Sequence, residues 1–68
     1  MIELDAKGLS CPQPLMMVND AMAGNPGETI VVEVDTATPR DNILRLAARK
    51  KRQASVEEVD DIFRITIE

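Results

Sequence analysis

Two proline-bearing junctions, Cys11-Pro12-Gln13-Pro14 and Thr38-Pro39-Arg40-Asp41, constrain this chain more than any other feature. Each comes after a short run in which apolar and polar residues alternate, and each precedes apolar residues three and four apart. Proline lacks the N–H that a helix interior requires, but in a first turn that N–H has no intrahelical partner anyway. Both junctions therefore read as places where a strand ends and a helix begins.

The rest of the chain falls into place around them. Ile2, Leu4 and Ala6 alternate with Glu3, Asp5 and Lys7, which predicts a half-buried strand ending at Gly8. Leu15, Val18 and Met22, with Ala21 and Ala23 beside them, predict a first helix stopped by Gly24-Asn25-Pro26-Gly27. A second strand is expected from Thr29 to Asp35, with Ile30, Val32 and Val34 on one face. Thr38 is expected to cap the second helix, with Pro39 its first residue and Asp41 the reciprocal partner of a capping box. Ile43, Leu46 and Ala47, with Leu44 and Ala48, supply its apolar stripe. Ala54 to Val59 and Ile62 to Ile67 read as a hairpin turning near Asp60-Asp61, with Phe63, Ile65 and Ile67 facing inward.

The expected order is βαβαββ, an α+β two-layer sandwich. Both crossovers should be right-handed, and if both step the same way the two helices share one face of a mixed four-stranded sheet. The alternating polarity of the strands agrees, because sheets covered on both faces read as continuous apolar runs. In this topology Cys11 and the Thr38-Arg40-Asp41 segment lie along the carboxyl edge of the sheet, where open α/β sheets bind ligands.

Composition narrows the chemistry. Sixty-eight residues, 44% of them hydrophobic, suit one domain spanning 1–68, and no run approaches the length of a membrane helix. The N-terminus has an early acidic pair and no basic segment before an apolar one, so it does not read as a signal peptide. The single cysteine cannot form an internal disulfide, and with no histidine neither a Cys/His zinc site nor a Cys/His catalytic pair can form within one chain. A cytoplasmic domain with no metal or dissociable cofactor is the expectation. The net charge of −4 and the lone aromatic, Phe63, argue against direct nucleic-acid binding. The run Arg49-Lys50-Lys51-Arg52 reads first as a complement to the negative end of the second helix, with partner or RNA docking as its alternative use. Asp5 and Gly8 read as turn formers, and Met16, Met17 and Met22 as packing residues rather than soft-metal ligands.

Cys11 is the one candidate nucleophile. The thiolate is the reactive form, and a helix start, with free N–H groups and about half a positive charge, favours it. Lys7 or Arg40 would add to this by approaching. Pro12 and Pro14 stiffen the turn that presents the sulfur, and Arg40 and Asp41 are divided between capping their helix and shaping the site near Cys11. The competing reading of a lone cysteine is a small buried hydrophobe without chemistry.

The stretch Leu4-Asp5-Ala6-Lys7-Gly8-Leu9-Ser10-Cys11-Pro12-Gln13-Pro14 resembles the signature of the TusA/SirA-like sulfur-carrier family, and the likeness extends along the whole chain. Asp35-Thr36-Ala37-Thr38-Pro39-Arg40-Asp41 is similar to the segment after the second strand of TusA-like members. Val56-Glu57-Glu58 through Phe63-Arg64-Ile65-Thr66-Ile67 looks closer to the N-terminal domain of YedF-type proteins, whose chains would continue past the position of Glu68. The resemblance implies the βαβαββ sandwich and persulfide chemistry at Cys11: a donor such as a cysteine desulfurase loads the sulfur and a downstream acceptor thiol protein removes it. Asn19-Asp20 stands where many relatives carry basic residues early in the first helix, and Gln53 where YedF-type chains often have glycine; the first departure bears on which partner docks. Two other functions compete with a carrier, a regulatory domain binding RNA or protein and a thiol redox sensor.

Overall fold

The computed structural model describes residues 1–9 and 13–68. Six elements succeed one another: β1 (Ile2–Asp5), α1 (Gln13–Gly24), β2 (Ile30–Val34), α2 (Ala37–Arg49), β3 (Ala54–Val59) and β4 (Ile62–Ile67). The strands form one sheet in the order β1-β2-β4-β3. β1 and β2 are parallel, and β4 lies antiparallel between β2 and β3. The βαβαββ order and the mixed four-stranded sheet are those the sequence predicts.

One face of the sheet carries the core. The register aligns Ile2, Ile30 and Ile67 across β1, β2 and β4, and likewise Leu4, Val32 and Ile65. Against this face pack Val18 and Met22 of α1 and Ile43, Leu46 and Ala47 of α2, all within one buried cluster. Both helices therefore share this face. Each such Val or Ile side chain contributes about 1.5–3 kcal/mol by leaving water. β2 is buried more continuously than its alternation suggests: Val31, on the face away from the helices, is only 5% exposed because its neighbours on β1 and β4 flank it.

Local chemistry sets the boundaries. In α1 the buried positions are Pro14, Val18 and Met22, four apart, the first two of them fully buried, while Leu15 is half-buried against the core. Asn25 closes the helix, its backbone N–H and its side-chain amide both donating to the Ala21 carbonyl. Asp60 and Asp61 both have positive φ, 52° and 65°, which is the two-residue turn whose twist matches a β-hairpin.

The start of α2 differs from the expectation. Thr36, not Thr38, is the extended N-cap, at φ −137°, and its side chain makes no capping hydrogen bond. Pro39 is the third helical residue rather than the first, and it is buried. The physical reason is that the first four N–H groups of a helix are all unpartnered, so proline costs no hydrogen bond at the third position either. Asp41 is consequently no member of a capping box; its carboxylate accepts from Arg40 Nε at 3.0 Å.

α2 ends with Lys51 at φ +59° while Lys51 N–H donates to the Ala48 carbonyl and Arg52 N–H to that of Ala47. This is a Schellman closure with lysine where glycine usually sits. Lys51→Gly is expected to stabilise the fold by about 0.5–1 kcal/mol, since relief of the left-handed strain outweighs the chain entropy glycine adds. An unchanged or lower urea midpoint would contradict this.

Candidate functional site

The carboxyl ends of β1 and β2 are adjacent because the two strands are parallel and in register from Ile2↔Ile30 to Asp5↔Glu33. The segment after each strand is thereby brought to the same edge. Just past β1, the Ala6 N–H donates to the Glu33 carbonyl at 2.9 Å, and the Ala6 side chain is buried. Lys7 N–H donates to Asp5 Oδ1 at 3.1 Å, an Asx turn of the kind the sequence suggests for Asp5. Gly8 has φ +78°, and its N–H donates to Asp35 Oδ2 at 3.1 Å. The turn leading into the Cys11 junction is thus held at both ends, by Asp5 within its own strand end and by Asp35 from beyond β2.

Ser10, Cys11 and Pro12, and with them the expected places of the Cys11 sulfur and of Pro12, lie outside the described residues. The flanks lie within them. Leu9 packs against the core from one side, and Gln13 begins α1 on the other. Pro14 is the second residue of α1 and fully buried, so it anchors the helix start in the core. Just beyond it Met16 is 57% exposed, in contrast to Met17, which is half-buried, and Met22, which is buried. Met16 is therefore no core residue; with Leu9, Gln13, Met17 and Asp20 it lines a shallow, mainly apolar depression.

Two cations at this edge were candidates to favour a thiolate. Lys7 Nζ is 3.4 Å from Glu33 Oε1 and 4.0 Å from Asp5 Oδ1. Arg40 lies over the Phe63 ring at 4.6 Å from its centroid, besides its 3.0 Å contact with Asp41. Phe63 pairs with Val34 at the carboxyl end of β2, so this stack ties the start of α2 to β4 at the same edge. Both cations have nearby partners of their own, so the edge presents them as parts of ion pairs, each exposed enough to contribute little to stability.

Sequence reasoning missed Asp35, which reads as an outward strand residue but lies one position past β2 and bonds across to Gly8, 27 residues away. It also missed Arg52, whose Nε donates to the Glu68 carbonyl at 2.8 Å and whose Nη2 donates to the Glu28 carbonyl at 2.6 Å. Arg52 is thus a clasp between the end of β4 and the entry to β2. The basic run at the end of α2 is not one free patch.

Asp35→Ala is expected to leave Gly8 N–H without its partner and to accelerate its amide exchange several-fold, with a stability loss of about 0.5–1 kcal/mol. Asp35→Asn keeps an acceptor and should restore most of the protection. Equal exchange in all three proteins, measured by NMR, would show that the bond does not hold the turn.

Comparison with known proteins agrees with this geometry. Residues 2–68 match the family model described as sulfurtransferase TusA. Among solved structures, the crystal structure of a SirA-like protein from Desulfitobacterium hafniense superposes with a TM-score of 0.94 at 30% identity, covering 98% of this chain and 95% of that one. With the family model spanning nearly the whole chain and a relative of the same fold over nearly its full length, this chain belongs to the TusA family of sulfurtransferase-like proteins.

Proposed function

We propose that this protein is a cytoplasmic sulfur carrier that accepts and passes on persulfide sulfur through Cys11. The observation that carries this reading is the family match over residues 2–68, which includes Cys11-Pro12-Gln13-Pro14, in a chain with one cysteine and no histidine. A carrier needs one thiol only, because resolution occurs on the partner.

The step balances without an added oxidant. The Cys11 thiolate attacks the outer sulfur of a donor cysteine persulfide, such as that of a cysteine desulfurase. A sulfur–sulfur bond forms at Cys11, the sulfur–sulfur bond of the donor breaks, and the donor cysteine leaves as a thiolate. Transfer to an acceptor thiol protein repeats the exchange with Cys11 as leaving group. No metal or dissociable cofactor is needed, because the cargo itself is the covalent sulfur. Gly8 and Asp35 would fix one flank of the carrier segment and the buried Pro14 the other, with Arg40 and Asp41 shaping the neighbouring edge. Lowering of the thiol pKa by the start of α1 would raise the thiolate fraction at neutral pH.

Incubation with a cysteine desulfurase and cysteine should add the mass of one sulfur atom, removable by a reducing thiol and absent from Cys11→Ser. Alkylation rate against pH should report a Cys11 pKa below the free-cysteine value of about 8.5. Failure of loading with several donors would overturn the carrier reading. A thiol pKa at or above the free value would remove thiolate activation from it.

A further inference from the structure

β3 is an edge strand: among the described residues it pairs with β4 on one side and with nothing on the other. It is also the most exposed element of the sheet, and two of its residues, Val56 at 44% and Val59 at 47%, are among the exposed large hydrophobic side chains. An open edge presents unpaired N–H and C=O groups, and proteins normally cover or charge such an edge. We propose that the β3 edge is a homodimer interface, on which a second copy of this chain pairs antiparallel about a two-fold axis through Val56.

The register is set by which residues point outward. Glu68 N–H donates to the Gln53 carbonyl at 2.7 Å, and Gln53 lies opposite Glu68 one step beyond the Ala54↔Ile67 pair. Gln53 is therefore a residue whose backbone faces β4. Because antiparallel pairs alternate between bonded and non-bonded, Ser55, Glu57 and Val59 also face β4, while Ala54, Val56 and Glu58 turn their N–H and C=O outward. A second copy can bond only by matching outward residues with outward residues.

Of the symmetric registers that do so, the one centred on Val56 uses all three outward residues. Val56 faces its own counterpart, Ala54 faces Glu58, and each outward residue donates and accepts once. Centring on Glu57 or Glu58 sets a carboxylate directly opposite itself, and centring on Ser55 leaves Glu58 unpaired. The Val56 register places Ser55 opposite Glu57 and Gln53 opposite Val59, so no like charges face each other.

Charge favours the same arrangement. β3 is preceded by Lys50-Lys51-Arg52 and followed by Asp60-Asp61, so antiparallel pairing brings the basic end of one copy beside the acidic turn of the other, twice. Arg64, across from Glu57 on β4, stands on the same face as the central carboxylates and pairs with Glu3 at 3.8 Å. The result is a continuous eight-stranded sheet with all four helices on one side. The β1 strands, each followed by its Gly8 turn, lie at opposite ends of it. One short strand per copy buries less than the standard interface of about 1,600 Å², so the dimer is weak and concentration-dependent.

Sedimentation equilibrium of the full chain should show the average mass rising from monomer toward dimer between about 1 µM and about 1 mM. Val56→Pro removes an outward N–H that the fold itself does not use, and it should abolish the rise while leaving the NMR spectrum of a folded protein. Asp60→Asn with Asp61→Asn keeps residues that tolerate positive φ, and should weaken association about fivefold at low ionic strength, less in high salt. A constant monomer mass up to about 1 mM overturns the proposal. So does association that Val56→Pro leaves unchanged, or that is insensitive to both the aspartate substitutions and salt.

Discussion

Burial of β2 on both of its faces is the constraint on which the rest of the molecule depends. Ile30, Val32 and Val34 are fully buried beneath the helices, and Val31 is nearly so on the other side. A strand this apolar must lie inside the sheet, and it does, with β1 parallel on one side and β4 antiparallel on the other. The parallel partner demands a crossover, which α1 provides, and α1 must then lie over the same face that α2 covers. The alignment of β1 with β2 is what brings the segment after each strand to a common edge. The placement of the candidate site is thus a consequence of strand pairing rather than of any interaction at the site itself.

Much of this was legible in the chain because its punctuation is strong. Alternation with period two in β1, β2 and β4, the Gly24-Asn25-Pro26-Gly27 stop, and the Asp60-Asp61 turn are local signals, and local signals survive folding. The error at α2 was also local: Thr38-Pro39 imitates a cap followed by a first helical residue, yet the helix begins two residues earlier because the first turn tolerates proline throughout. What could not be read were bonds between distant residues. Asp35 to Gly8, Arg52 to Glu28 and Glu68, and Arg40 over Phe63 all depend on strand register, which the one-dimensional pattern does not specify. For the site itself, the Cys-Pro-x-Pro motif was legible as chemistry, and the Gly8 and Pro14 anchors on its flanks only as geometry.

Two departures from favoured backbone chemistry share a logic. Lys51 occupies a left-handed position where glycine would be easier, and Asp60-Asp61 turn the hairpin without a glycine. In each case a charged side chain stands where an uncharged one would cost less strain. The charges border β3 on both sides, basic before it and acidic after it, so the most exposed strand of the sheet is also the one whose ends are most strongly marked.

The strand order has a kinetic side as well. Because β4 fills the slot between β2 and β3, one of the sheet's two interior positions is taken by the last strand in chain order. During synthesis, β1, α1, β2 and α2 emerge while one long edge of β2 is still open. Ile65 and Ile67 of β4 belong to the buried cluster, so the earlier elements alone lack part of the core. Completion of the core therefore waits for β4, and any delay there prolongs the life of an open, aggregation-prone strand edge.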